Sequence, residues 1–173
     1  MSDNNNNVGI NFTVHNIFLQ DSSYEAPNTP RIFTKRWLPK MDFDIEMGRA
    51  QIEEHLYEVF LKAVVKVIVL DSEEEAQKAE PAGQVAFIVE VKQSGIFELS
   101  NVATAQDLDY ILATNAPNIL FPYAREAIAN LVTKGGFPQL LLPPMNFEAM
   151  YQQHLAQQAV TMSHTNAEEV LLQ

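Results

Sequence analysis

The chain has 173 residues, 47% of them hydrophobic, which suits one folded domain and leaves no room for a second. Its 22 acidic and 11 basic residues give a net charge of −11, so the surface repels nucleic-acid phosphates and anionic membranes. It has no cysteine, which excludes disulfides, cysteine-ligated zinc and a cysteine nucleophile together.

Residues 1–9 read as a flexible polar leader, rich in asparagine, without the basic and apolar regions of an export signal. No run approaches the ~20 apolar residues of a membrane span, so the protein is expected to stay in the cytoplasm. Ile10, Phe12, Val14 and Phe18 recur at period two and predict a strand over 10–19. Pro27, Pro30 and Pro39 then predict an extended crossover without regular structure over 21–39. Over 41–46, Met41, Phe43 and Ile45 alternate with Asp42, Asp44 and Glu46, giving a strand with one dry and one wet face.

A longer strand is predicted over 55–69, with Tyr57, Val59, Leu61, Ala63, Val65, Val67 and Val69 on one parity. Glu73, Glu74, Glu75, Glu80 and Pro81 make 71–83 a solvated hairpin loop. The fourth strand covers 85–93, with Val85, Phe87, Val89 and Val91 on one face, Ile88, Glu90 and Lys92 on the other, and a stop at Ser94-Gly95.

The period then changes. Thr104 and Asp107 form a weak capping box for a short helix over 107–113. Asn118 caps a second helix whose stripe is Phe121, Ala124, Ile128, Leu131 and Val132, ended by Gly135-Gly136. Phe147, Met150, Tyr151 and Leu155 mark a third over 147–158, and 159–173 reads as a flexible acidic tail. The order predicts an α+β domain over 10–158, a four-stranded antiparallel sheet followed by two to three helices packed on one face.

Catalytic and cofactor signals are sparse. The histidines, His15, His55, His154 and His164, have no metal-ligand spacing, and Gly135-Gly136 follows a helix where a phosphate loop would precede one. Asp107 and Asp109, two apart on a helix, do not face each other as an acid/base pair would. No serine sits at a strand-to-helix elbow. These readings point to no enzyme, no metal and no cofactor. Phe33, Trp37, Phe121 and Tyr123 fit either a core or a groove for apolar chain segments. All Lys and Arg lie between Arg31 and Lys134, so both terminal segments are acidic and suit a basic partner.

Tyr24-Glu25-Ala26-Pro27-Asn28, Gly95-Ile96-Phe97, Pro117-Asn118-Ile119-Leu120-Phe121-Pro122-Tyr123-Ala124-Arg125-Glu126, Phe137-Pro138-Gln139-Leu140 and Pro144-Met145-Asn146-Phe147 resemble the SecB family. The resemblance implies a homotetramer, a dimer of dimers, that holds unfolded, signal-peptide-bearing precursors without ATP and passes them to the SecA ATPase, with no nucleic acid bound and no membrane insertion. It places the meeting point with SecA's zinc-bearing basic tail at Asp21, Glu25, Ile88 and Glu90, and a client groove between crossover and long helix at Trp37, Phe121 and Leu131. Departures are a longer, more acidic hairpin over 71–83, and Ser94 where a second glycine is common. Other readings are a SecB-like chaperone serving one client such as an antitoxin, and a structural oligomerisation domain; an enzyme ranks third.

Overall fold

The computed structural model describes residues 9–170, with side chains through residue 159. Strands β1 (Asn11–Glu25), β2 (Pro39–Glu53), β3 (Leu56–Leu70) and β4 (Gly83–Ser100) form one antiparallel sheet in the order β1-β4-β3-β2. Helices α1 (Ala105–Lys134) and α2 (Phe147–Val170) follow. This is the expected α+β fold, with two helices.

Alternation decides which side of the sheet the helices cover. On β3 every second residue from Val59 to Val69 is buried, and β4 continues the layer through Phe87, Val89, Val91, Phe97 and Leu99. α1 lies across these two strands. Its buried row Leu112, Ala116, Leu120, Ala124, Ile128 and Val132 steps by four residues, each step overshooting one turn by about 40°. The row therefore winds around the helix, as a helix crossing a twisted sheet requires.

Three sequence expectations need correction. First, β1 does not end at Leu19 but runs to Glu25, because register shifts between Val14 and Asn16 and between Leu19 and Asp21 reset its parity twice. Ile17 and Leu19 take the helix side, while Phe18, expected there, lies opposite Ser94 on the other face. Regular structure thus enters the stretch 21–39 from both ends, and a 3-10 turn, Arg31–Thr34, lies inside it.

Second, β4 does not stop at Ser94-Gly95 but crosses them to reach Ser100. Ser94 is fully buried and its hydroxyl donates to Gln20 Oε1 at 2.7 Å, so it is a strand residue and not a turn residue. Gly95 is there for close approach: a Cβ would fall 2.9 Å from Leu120 Cδ2 and 2.8 Å from Phe97.

Third, the two helices expected over 107–134 are one. Thr104 caps it, accepting from the Asp107 N–H at 3.0 Å and donating to Asp107 Oδ2 at 2.7 Å. The helix then passes through Pro117 and Pro122, each of which removes a backbone bond at a cost of about 3 kcal/mol or more in a free helix. Burial of Leu120 and Phe121 between them offsets this by about 1.5–3 kcal/mol each. Asn118 is an exposed interior residue and not a cap. α2 likewise continues past Gln158 to Val170. Apart from Gly9, the leader 1–9 lies outside the described residues, as do 171–173.

The β3–β4 connection holds a 3-10 turn, Glu73–Gln77, wound around Glu75, whose carboxylate accepts from Lys78 Nζ at 2.5 Å and the Ala82 N–H at 2.8 Å. Lys78 first, then the Ala82 amide, hold its pKa below the usual glutamate range. A lowered folded-state pKa makes this contribution complete above the unfolded value and lost as pH falls through the folded one. Ala82 amide protection is expected to persist from neutral pH to about pH 5 and fall away below about pH 4. Protection independent of pH, read by amide exchange, would rule this out.

Candidate binding surfaces

The register turns the helix-free face of the sheet into a grid. Its rungs read Asp42-Lys66-Ile88-Glu25, Asp44-Val64-Glu90-Ser23, Glu46-Lys62-Lys92-Asp21 and Gly48-Phe60-Ser94-Phe18, from β2 to β1. Asp21, Glu25, Ile88 and Glu90 therefore share one face within a few residues of each other. Glu90 Oε1 pairs with Lys62 Nζ at 3.1 Å, and Lys92 sits 4.2 Å over the Phe60 ring, so both lysines are partly engaged inside the face.

Asp42, Asp44 and Glu46 form a second acidic track on β2, roughly 14 Å from β1 at three strand spacings. Sequence reasoning used these acids only as the wet side of a strand. Their alternation with Met41, Phe43 and Ile45 was also the signal that they point together.

On the helix side, Trp37 (37% exposed) and Phe33 (50%) rest on Phe137, ring centroids 5.7 and 4.9 Å away. Phe137 in turn packs on buried Phe87 at 4.9 Å, and Tyr24 follows at 6.5 Å. This aromatic shelf abuts the end of α1. A Cβ on Gly135 would overlap the Tyr24 hydroxyl, and Gly136, at φ +83°, meets Phe33. The Tyr24 hydroxyl is buried without a hydrogen-bond partner, and burial raises its pKa.

Of the expected groove residues, Trp37 is on the shelf and half-buried Leu131 lies one turn before Gly135. Phe121 is elsewhere. It is 4% exposed, packs edge-on against Phe147 of α2 at 5.7 Å, and has the Arg125 guanidinium 5.9 Å from its ring. Nothing in the local sequence names the helix that covers it.

A separate cleft of about 500 Å³ opens between β2, α1 and α2, lined by Met47, Leu112, Met150, Tyr151 and Leu155. The Arg49–Asp109 ion pair lies along its wall, and His154, bonded to Gln158 at 2.8 Å, lies on the α2 side. Tyr110 braces α2 through an edge contact with Tyr151 at 5.6 Å and a hydroxyl donated to Glu148 Oε1 at 3.2 Å. Sequence reasoning missed this cleft. The available signal was Arg49, a charge on the apolar parity of β2.

Among the described residues, no three His, Asp or Glu side chains gather as a metal site would need. The sheet thus presents one uncovered, charged face, and the helix side carries exposed rings and a cleft. A family model described as preprotein translocase subunit SecB matches residues 4–158. The protein-export protein SecB of Legionella pneumophila, strain Corby, is 41% identical over 155 residues, covering 90% of this chain and 88% of that protein. That of strain Paris gives the same figures. A SecB-like chaperone of Mycobacterium tuberculosis, solved with an antitoxin peptide, shares the fold with a TM-score of 0.59 at 16% identity, covering 78% of this chain and 91% of that one. The chain belongs to the SecB family of protein-export proteins, a family of chaperones and not of enzymes.

Proposed function

We propose that this protein is an ATP-independent holdase that keeps unfolded precursors translocation-competent in the cytoplasm and hands them to SecA, working as a homotetramer. The observation that carries the reading is the division of labour between faces. Exposed rings and a cleft with Met47, Leu112, Met150 and Leu155 beside Arg49, Asp109 and His154 lie on the helix side, and uncovered acids with Ile88 lie on the other. No described helix is long and apolar enough to cross a membrane.

Apolar recesses suit clients of many sequences, because burial rewards hydrophobic area at about 25 cal/mol per Å² whatever its order. Covering ~1,000 Å² gives on the order of 25 kcal/mol gross, and ordering the flexible client offsets much of it. The shelf and the cleft are both client surfaces in this reading. Native mass spectrometry with a chemically unfolded precursor and no ATP tests it. A tetramer that captures the unfolded chain and ignores its folded form is the expected result. Capture of nothing would end the holdase reading, and capture of only one client among several would make the chaperone a dedicated one.

The acidic face suits a basic partner, steered by long-range attraction that salt screens. Replacing Asp21 and Glu90 together by alanine is expected to weaken SecA binding about five- to tenfold at low salt, with capture of unfolded chains unchanged. Isothermal titration at two ionic strengths checks both. Equal loss of both activities in a folded variant would refute the separation of surfaces.

A further inference from the structure

The crossover 26–38 is fixed at its ends and held loosely between them. At one end Asn28 Nδ2 donates to the Val85 carbonyl at 2.9 Å and Ile32 is buried; at the other, the Leu70 N–H donates to the Leu38 carbonyl at 2.9 Å. Between them, Phe33 and Trp37 lie on Phe137, and two ion pairs reach across to the acidic hairpin loop. Lys35 Nζ is 3.0 Å from Asp71 Oδ1, and Arg36 Nη2 is 2.8 Å from Glu73 Oε1. Both pairs border an open cleft of about 610 Å³.

We propose that the hairpin loop is an electrostatic latch on the aromatic shelf. Asp71 and Glu73 hold Lys35 and Arg36, and so keep Phe33 and Trp37 down on Phe137. They release them to a client segment that carries Lys or Arg beside its apolar residues.

Rings and cations share one pentapeptide, 33–37, so the rings cannot lift without moving the cations. The ion pairs are solvent-exposed, with Arg36 and Glu73 side chains 75% and 69% accessible, and pairs of this kind are weak singly and screened by salt. A strong latch would block the shelf; a weak one yields to a competing cation. The client's own Lys or Arg takes the vacated carboxylate, and its apolar neighbour takes the ring surface of Phe137. The selectivity step rests on the reading of the shelf as a client surface, whereas the latch itself does not.

Trp37 is the single tryptophan, so its fluorescence reports the latch directly. Acrylamide quenching of the full chain is expected to rise about twofold as NaCl is raised from about 20 mM to about 500 mM. The Asp71→Asn, Glu73→Gln double variant should quench at the high level throughout, and exchanging the charges of one pair, Lys35→Asp with Asp71→Lys, should restore the low level and the salt response. Quenching that is indifferent to salt and to the double neutralisation, or a charge-exchanged variant that quenches at the high level, would overturn the latch. A lysine-flanked apolar peptide should bind the wild type about threefold better than a glutamate-flanked one, with the ratio narrowing in the double variant. An unchanged ratio would overturn the selectivity step. If quenching responds as expected but neither peptide binds, the latch stands and the shelf is not a client surface.

Discussion

Phe137→Ala is expected to lower the unfolding free energy by about 3–5 kcal/mol, among the largest losses that a single truncation produces here. The ring is 5% exposed and is the common partner of Phe33, Trp37 and Phe87. Its removal leaves a cavity that the two loop rings cannot fill, because the crossover is anchored by Asn28 and Leu38 on either side. The Trp37 emission maximum should move to the red in the folded variant as the indole loses its packing. Urea unfolding followed by circular dichroism gives the stability, and fluorescence below the transition gives the packing. A loss under 1 kcal/mol would mean that Phe33 and Trp37 collapse onto Phe87, so that the shelf is plastic.

Leu120→Ala should cost about 2–5 kcal/mol, since the side chain is fully buried where α1 crosses β4. Gly95 makes this site diagnostic. Gly95→Ala alone places its Cβ 2.9 Å from Leu120 Cδ2 and should destabilise by about 1–3 kcal/mol through overpacking. Combined, the changes should be less harmful than their sum, with a coupling of about 0.5–3 kcal/mol, because the new methyl enters space that Leu120 has left. Additive losses in denaturant titrations would show that Phe97, at 2.8 Å from the same Cβ, and not the helix, sets the limit at Gly95.

Much of the sheet was legible because its central strands obey one rule. The parity of β3 and of 87–93 survives intact, and so the shared face of Ile88 and Glu90 could be read from spacing alone; Val85, expected on the face of Phe87, is turned to the other by the register shift that pairs it with Ile68. β1 was not legible past Leu19. Two irregularities swap its faces, and a pattern with two phase changes in fifteen residues has no period to find. The helix was split in the reading because a cap at Asn118 is a local signal, whereas the burial that carries one helix through Pro117 and Pro122 comes from β3 and β4. Phe121 shows the same limit at a site. Its place on an apolar stripe was readable, but its partner is Phe147, 26 positions on. Asp21 and Glu25 entered through family resemblance; the two bulges cancel in parity, so both stand opposite the face of Phe12 and Val14, on the face that carries Glu90.

The strand order has a consequence for the birth of the molecule. β1 is made first, yet its neighbour is β4, and Asn11 aligns with Ser100. At about 5–20 residues per second, a ribosome needs on the order of ten seconds to supply that neighbour. Throughout that interval Phe12, Val14, Ile17 and Leu19 have no sheet to join, and β2 with β3 can close as a hairpin without them. Of the four strands, the first to be made is thus the one that waits longest for its neighbour.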